Sequence, residues 1–215
     1  MNNPTTNKLR LYKFRPLGTE LDLYKLKSLI KTGCFWCSKL WDLNDPMEGV
    51  YRNSNSNPQD IERIFSGKNN HLICSFSGEK GFKNPLLWGY YANGFKGAVI
   101  EIEVEKDNNS ITKMDYLSEE KFKENMDDAK KIITRKLKNW KHEDEYRYLI
   151  ETSKNKQKIG KIIKVHFGNP YGNLNNTENV IRESKSLKSF LKYKDKIIKI
   201  CKNKNIEFQN YSEGE

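Results

Sequence analysis

The sequence predicts an α+β fold: a split, mainly antiparallel sheet with flanking helices, in a single domain over residues 1–215. Three observations carry this. Helical and strand patterns are mixed, with helices between strands near the start and strands clustered later. Gly97 to Val104 alternates cleanly, the period of a half-buried strand. No Gly-x-Gly-x-x-Gly or Walker loop announces a nucleotide-binding parallel layer.

Arg10 to Phe14 is apolar and aromatic enough for an opening strand, ended by Pro16 and Gly18. Thr19 caps a helix, with Glu20 and Asp22 in its positive first turn. Leu23, Leu26 and Ile30 form its apolar stripe, and Gly33 stops it. Cys34 to Ser38 is a short strand, and Trp41 to Gly49 is a loop punctuated by Asn44, Asp45 and Pro46. Asn57-Pro58 opens a helix carrying Ile61, Ile64 and Phe65, ended over Gly67 to Asn70. His71 to Ser77 is a strand with Leu72, Cys74 and Phe76 on one face and Ile73, Ser75 and Ser77 on the other. Asn84-Pro85 repeats the cap, and Leu87, Trp88, Tyr91 and Ala92 stripe a short helix closed by Gly94. Along Gly97 to Val104, Ala98, Ile100, Ile102 and Val104 face a core while Glu101 and Glu103 face out. A turn at Asp107-Asn108-Asn109 leads to a short strand from Ile111 to Tyr116. Ser118 then opens the clearest helix, its stripe Phe122, Met126, Ala129, Ile133, Leu137 and Trp140. Strands over Glu143 to Ile150 and Ile159 to Phe167 follow, then a basic helix within Val180 to Lys202 and a closing strand at Ile206-Glu207-Phe208.

The composition is polar, 36% hydrophobic against 31% charged, but 12% of the residues are aromatic and can supply a core. The formal net charge of +11 favours phosphate-bearing partners. An excess of Lys beside abundant Asn and Ile is also what a compositional bias would give. Cys34-Phe35-Trp36-Cys37 is a C-x-x-C pair, yet Cys74, Cys201 and the 3 His are scattered, so a zinc site lacks its second pair. No signal-peptide pattern opens the chain and no apolar run is long enough to span a bilayer, so the expectation is a soluble, cytoplasmic protein without a membrane partner.

Trp140-Lys141-His142-Glu143-Asp144-Glu145-Tyr146-Arg147 is the most informative stretch. Read as strand, it puts Glu143, Glu145 and Arg147 on one face, neighbours roughly 7 Å apart. Like charges so placed need a cation, a hydroxyl-rich ligand or solvent. A solvated sheet face with Arg147 bridging Glu145 satisfies the pattern, and so does a functional pair.

Four stretches together resemble a bacterial family known as domain of unknown function twenty-nine seventy-one: Leu11 to Leu17, Leu43 to Gly49, Leu87 to Gly97, and the Trp140 to Arg147 block. The layout is also similar to an ADP-ribosyltransferase, whose marks are an Arg or His on the first strand, a Ser-Thr-Ser-like strand and a later Glu-x-Glu. Arg15, Ser75-Phe76-Ser77 and Glu143-Asp144-Glu145 stand in that order, with Phe76 in place of the middle Thr. This likeness implies NAD as substrate. Glu145 would be the catalytic carboxylate and Glu143 would position the acceptor. Arg15 would pair with the pyrophosphate, and Ser75 and Ser77 would bind ribose. Tyr12, Trp88, Tyr90 or Tyr91 would stack on nicotinamide. It further implies a nucleic-acid or protein acceptor, a toxin or antiphage role, and an inhibitory partner protein that holds the activity off.

Two other readings stay open. One is a metal-dependent nuclease or hydrolase built on Asp45, Glu48, Glu143 and Glu145, with Lys130, Lys131, Arg135 and Lys138 holding phosphate. The other is a non-enzymatic nucleic-acid-binding module of a defence system, resting on charge.

Overall fold

A computed structural model describes residues 7–43, 49, 57–122, 128–170 and 184–212. In chain order the elements are β1 (Lys8–Pro16), α1 (Glu20–Thr32), β2 (Phe35–Trp36), a 3-10 turn (Leu40–Asp42), α2 (Pro58–Asn70), β3 (His71–Ser77), α3 (Glu79–Phe82), α4 (Pro85–Tyr91) and β4 (Gly97–Glu105). Then come β5 (Ile111–Lys113), β6 (Asp115–Leu117), α5 (Glu119–Phe122), α6 (Ala129–Ile133), β7 (Arg135–Leu137) and a second 3-10 turn (Lys138–Glu143). The chain continues through β8 (Glu145–Glu151), β9 (Lys156–Gln157), β10 (Lys161–Phe167), α7 (Lys185–Asn203) and β11 (Glu207–Asn210). The fold is α+β, with mainly antiparallel pairing and flanking helices. Among the described residues no helix is long and apolar enough to cross a membrane.

The described residues fall into two compact units. The first comprises Met1–Cys34, Gly78–Asp107 and Lys158–Glu215, and the second Phe35–Ser77 and Asn108–Gln157.

In the first unit the strands run β11-β10-β4-β1. β4 is antiparallel to both β1 and β10, and β11 is parallel to β10. β4 is therefore a central strand, and Val99 is as fully buried as Ile100. Glu101, expected to face out, is buried too. Its Oε2 lies 2.8 Å from His166 Nε2 and its Oε1 3.2 Å from Arg10 Nη1. A buried carboxylate persists only when paired in this way. Burial works to raise its pKa, but the His166 contacts and the Arg10 charge prevail and hold it below the ordinary carboxylate value. Aromatic packing around Tyr12, Phe14, Phe82, Trp88 and Tyr211 forms the core. Gly97 pairs with Pro16, where a Cβ would collide with the Arg15 and Ala92 carbonyls.

The local stop and start signals act as the sequence implies. Thr19 and Asp22 form a capping box on α1, and Gly33 ends it in the left-handed region at φ 68°. Asn57 and Asn84 cap α2 and α4 with their side chains.

In the second unit β8 lies between β3 and β5, antiparallel to both, with a β6–β7 parallel pair and a β2–β9 ladder beside them. α2 ends at Asn70, within the Gly67 to Asn70 stretch expected to stop it. A Cβ on Gly67 would lie 2.7 Å from the Ala129 Cβ, so this glycine serves the close approach of α2 and α6. One expectation changes here: the long helix from Ser118 to Trp140 is replaced. Its described part is two short helices, then β7 and a 3-10 turn, and Met126 lies outside the described residues. Ile132, Ile133 and Thr134 are three β-branched residues in a row, a poor helix interior.

Candidate functional site

The site in the second unit is built from β3 and β8. Ser75 stands opposite Arg147 and Ser77 opposite Glu145, and alternation puts all four on one face. At the far end of this face Ile73 and Leu149 join Leu40 and Ile133 in an apolar cluster, which anchors it. β8 begins at Glu145 because Asp144 takes a left-handed backbone, φ 45° and ψ 47°, a conformation Asp tolerates better than most residues. Asp144 then pairs with Lys113 at 3.0 Å. Glu143 is therefore not on the strand, as the alternation implied, but closes the preceding 3-10 turn.

The two glutamates are nevertheless brought together, by a residue the sequence pattern hides. Lys136 Nζ on β7 donates to Glu143 Oε2 at 2.7 Å and to Glu145 Oε2 at 3.2 Å. It also lies 5.0 Å from the centre of the Trp140 ring. Arg147 Nε donates to Glu145 Oε1 at 2.8 Å, and its Nη1 donates to the Ile133 carbonyl at 2.6 Å. The Glu145 backbone N–H donates to the Tyr116 hydroxyl oxygen at 2.7 Å. Two cations thus face two anions, and none of the four side-chain-bearing residues is more than 5% exposed. The solvated face that the strand pattern allowed is not what forms, although Arg147 does bridge Glu145.

Burial by itself would raise the pKa of Glu145. The charges of Arg147 and Lys136, with hydrogen bonds from Arg147 and Ser75, outweigh it and hold the carboxyl at about 2. Glu145 is thus an anion at any physiological pH. Burial pushes the Tyr116 phenol above its ordinary range, so it keeps its proton while its oxygen accepts from Glu145.

Lys136 and Tyr116 were not legible as site residues. The signal that could have found Lys136 is the β-branched run just before it, which argues against helix and for a strand beside the Glu143 block.

The other residues expected at an NAD site belong to the first unit. Arg15 lies within β1, opposite Ala98, rather than beyond the strand's end. Tyr12 stacks on Phe82 with ring centroids 4.4 Å apart, and burial, then the Glu101 charge, pushes its phenol up to about 12. Trp88 is fully buried and donates from Nε1 to the Phe82 carbonyl at 2.9 Å. Both rings pack in the core. Tyr91 is partly buried against that core, and Tyr90 is exposed.

Among the described residues no group of three or more His, Cys, Asp or Glu is placed to hold a metal ion, and Asp45 and Glu48 lie outside them. Arg135, expected to hold phosphate, is buried with its guanidinium 4.7 Å from the centre of the Phe122 ring. No family model matches the sequence, and no curated protein or solved structure matches it either.

Proposed function

We propose that the chain is an NAD-consuming enzyme of the ADP-ribosyltransferase type, which breaks the nicotinamide–ribose bond and modifies a nucleic-acid or protein acceptor. The observation that supports this reading is the fixed, ionised carboxylate of Glu145, oriented by Arg147 and Ser75 next to a second carboxylate. When the bond breaks, its electron pair leaves with the pyridinium nitrogen as neutral nicotinamide, and positive charge develops on the sugar. A carboxylate that is already ionised and oriented stabilises that charge without reorganising.

In this reading a ribose hydroxyl replaces Lys136 on Glu145. The Lys136 contact to Glu145 is the longer of its two, 3.2 Å against 2.7 Å, so the ammonium stays with Glu143. Arg147 holds Glu145 in place. Glu143 positions the acceptor, whose nucleophile bonds to the sugar carbon as its proton passes to that carboxylate.

The test is incubation of the purified protein with NAD labelled in its adenylate half, together with cell extract. The expected result is nicotinamide release and label on a macromolecule, both lost in Glu145→Gln. The proposal is overturned if neither product forms, or if Glu145→Gln forms both at the wild-type rate.

A further inference from the structure

α7 sorts its side chains by face. Leu187, Phe190, Tyr193, Ile197 and Cys201 are buried. At about 100° per residue they share one arc of the helix. Lys185, Lys188, Lys192, Lys199 and Lys202 are exposed and fall within an arc of about 100° on the opposite side. The two other lysines of the helix turn elsewhere. Lys194 donates to Asn210 Oδ1 at 2.6 Å and lies over the Phe167 ring, and Lys196 lies over the Tyr193 ring. The five exposed lysines make a ridge about 25 Å long, at 1.5 Å rise per residue.

A lysine-rich composition does not by itself make such a ridge. The chain as a whole has 39 Lys and Arg against 28 Asp and Glu, a mixture of signs. On α7 Asp195 is the sole acidic residue, and it stands within the ridge's arc. Three lysines elsewhere in the same unit find acids, Lys8 with Glu105 at 2.6 Å, Lys83 with Glu79 at 3.1 Å and Lys164 with Glu207 at 3.1 Å, and what distinguishes the ridge is that its five lysines share one arc of a single helix. Among the described residues the five ridge lysines have no ion-pair partner.

We infer that this ridge binds the phosphate backbone of nucleic acid, whatever the activity of the second unit. One strand of a duplex presents a phosphate about every 3.4 Å of axis, so the ridge spans enough phosphates for every lysine. A membrane surface fits less well. A helix lying in a bilayer interface inserts an apolar face, and the apolar face of α7 is buried within its own unit. Lysine is a point charge without the planar fork that reads a base edge, so binding is sequence-blind and strongly salt-dependent.

The test is fluorescence anisotropy with labelled duplex DNA of arbitrary sequence, titrated from low to physiological salt. Wild type is expected to lose affinity with a log–log slope of about −4 to −5, for five phosphates at about 0.9 each. The triple variant Lys188→Glu/Lys192→Glu/Lys199→Glu should bind at least tenfold more weakly at low salt, with a slope flatter by about 2.7. A control variant, Lys80→Glu/Lys106→Glu/Lys161→Glu, changes three exposed lysines of the same unit and the same net charge. It should keep the steep slope. Circular dichroism confirms folding of both, and the Lys→Gln triple at the ridge repeats the comparison without charge reversal. Glu145→Gln should bind DNA as wild type does, which separates this inference from the proposed activity. Equal losses in ridge and control variants would overturn it. So would unchanged DNA binding by the ridge variant, or ridge-dependent binding to phosphatidylserine vesicles with none to DNA.

Discussion

Glu145→Gln should change how the protein responds to acid. In the folded chain this carboxyl falls from its ordinary 4.5 to about 2, because Arg147 and Lys136 overcome the effect of its burial. At about 1.4 kcal/mol per pH unit, a drop of that size contributes about 3 kcal/mol to stability at pH 7. The folded pKa is the lower one, so the contribution is complete above the unfolded value. It is lost as pH falls toward the folded value. The linkage relation puts about 2 kcal/mol of that loss between pH 7 and pH 3. Glutamine keeps the shape but has no charge to lose. Urea denaturation of both proteins at pH 7, 5, 4 and 3 measures the gap in stability between them, and other titrating groups largely cancel in the difference. The gap should be widest at pH 7 and narrow by about 2 kcal/mol at pH 3. A gap that stays constant over this range would refute the assignment of Glu145 as the anion held by Arg147 and Lys136.

Lys136→Met removes the cation that Glu143 and Glu145 share and leaves both carboxylates buried. It should cost about 3–5 kcal/mol at pH 7, as expected for a broken buried pair, and less at pH 4 by the same urea assay; a cost below about 1 kcal/mol would show that the lysine is not central. Gly97→Ala should cost about 1–3 kcal/mol in thermal or chemical denaturation, because its Cβ would collide with backbone atoms of Arg15 and Ala92 that cannot swing aside.

Features decided within a few residues were readable from the sequence. The Thr19, Asn57 and Asn84 caps depend on side chains reaching nearby backbone and the Gly33 stop on a left-handed backbone, and each is found as expected. Features decided by distant partners were not. Glu101 looks like an outward position on an alternating strand, but His166 covers it from a strand far along the chain. The Ser118 to Trp140 periodicity was real, yet Ile132, Ile133, Arg135 and Lys136 are buried around helix, strand and turn rather than along one helical face. At the site, the closeness of Glu143 and Glu145 was legible because they are nearly adjacent. Lys136 was not, since the β-branched run before it argues for a strand but does not say which side chains that strand meets. Trp88 and Tyr12 illustrate the ambiguity of aromatic stripes, since their rings pack in the core, Tyr12 on Phe82 and Trp88 on Phe14.

A crystal structure of Glu145→Gln soaked with NAD shows whether residue 145 receives the ribose, since in the proposed reaction that variant binds NAD without consuming it. The expected result is a nicotinamide ribose hydroxyl within hydrogen-bond distance of residue 145, with Lys136 withdrawn from that side chain and still on Glu143. NAD bound away from residue 145, or absent while Lys136 keeps both its contacts, would contradict it.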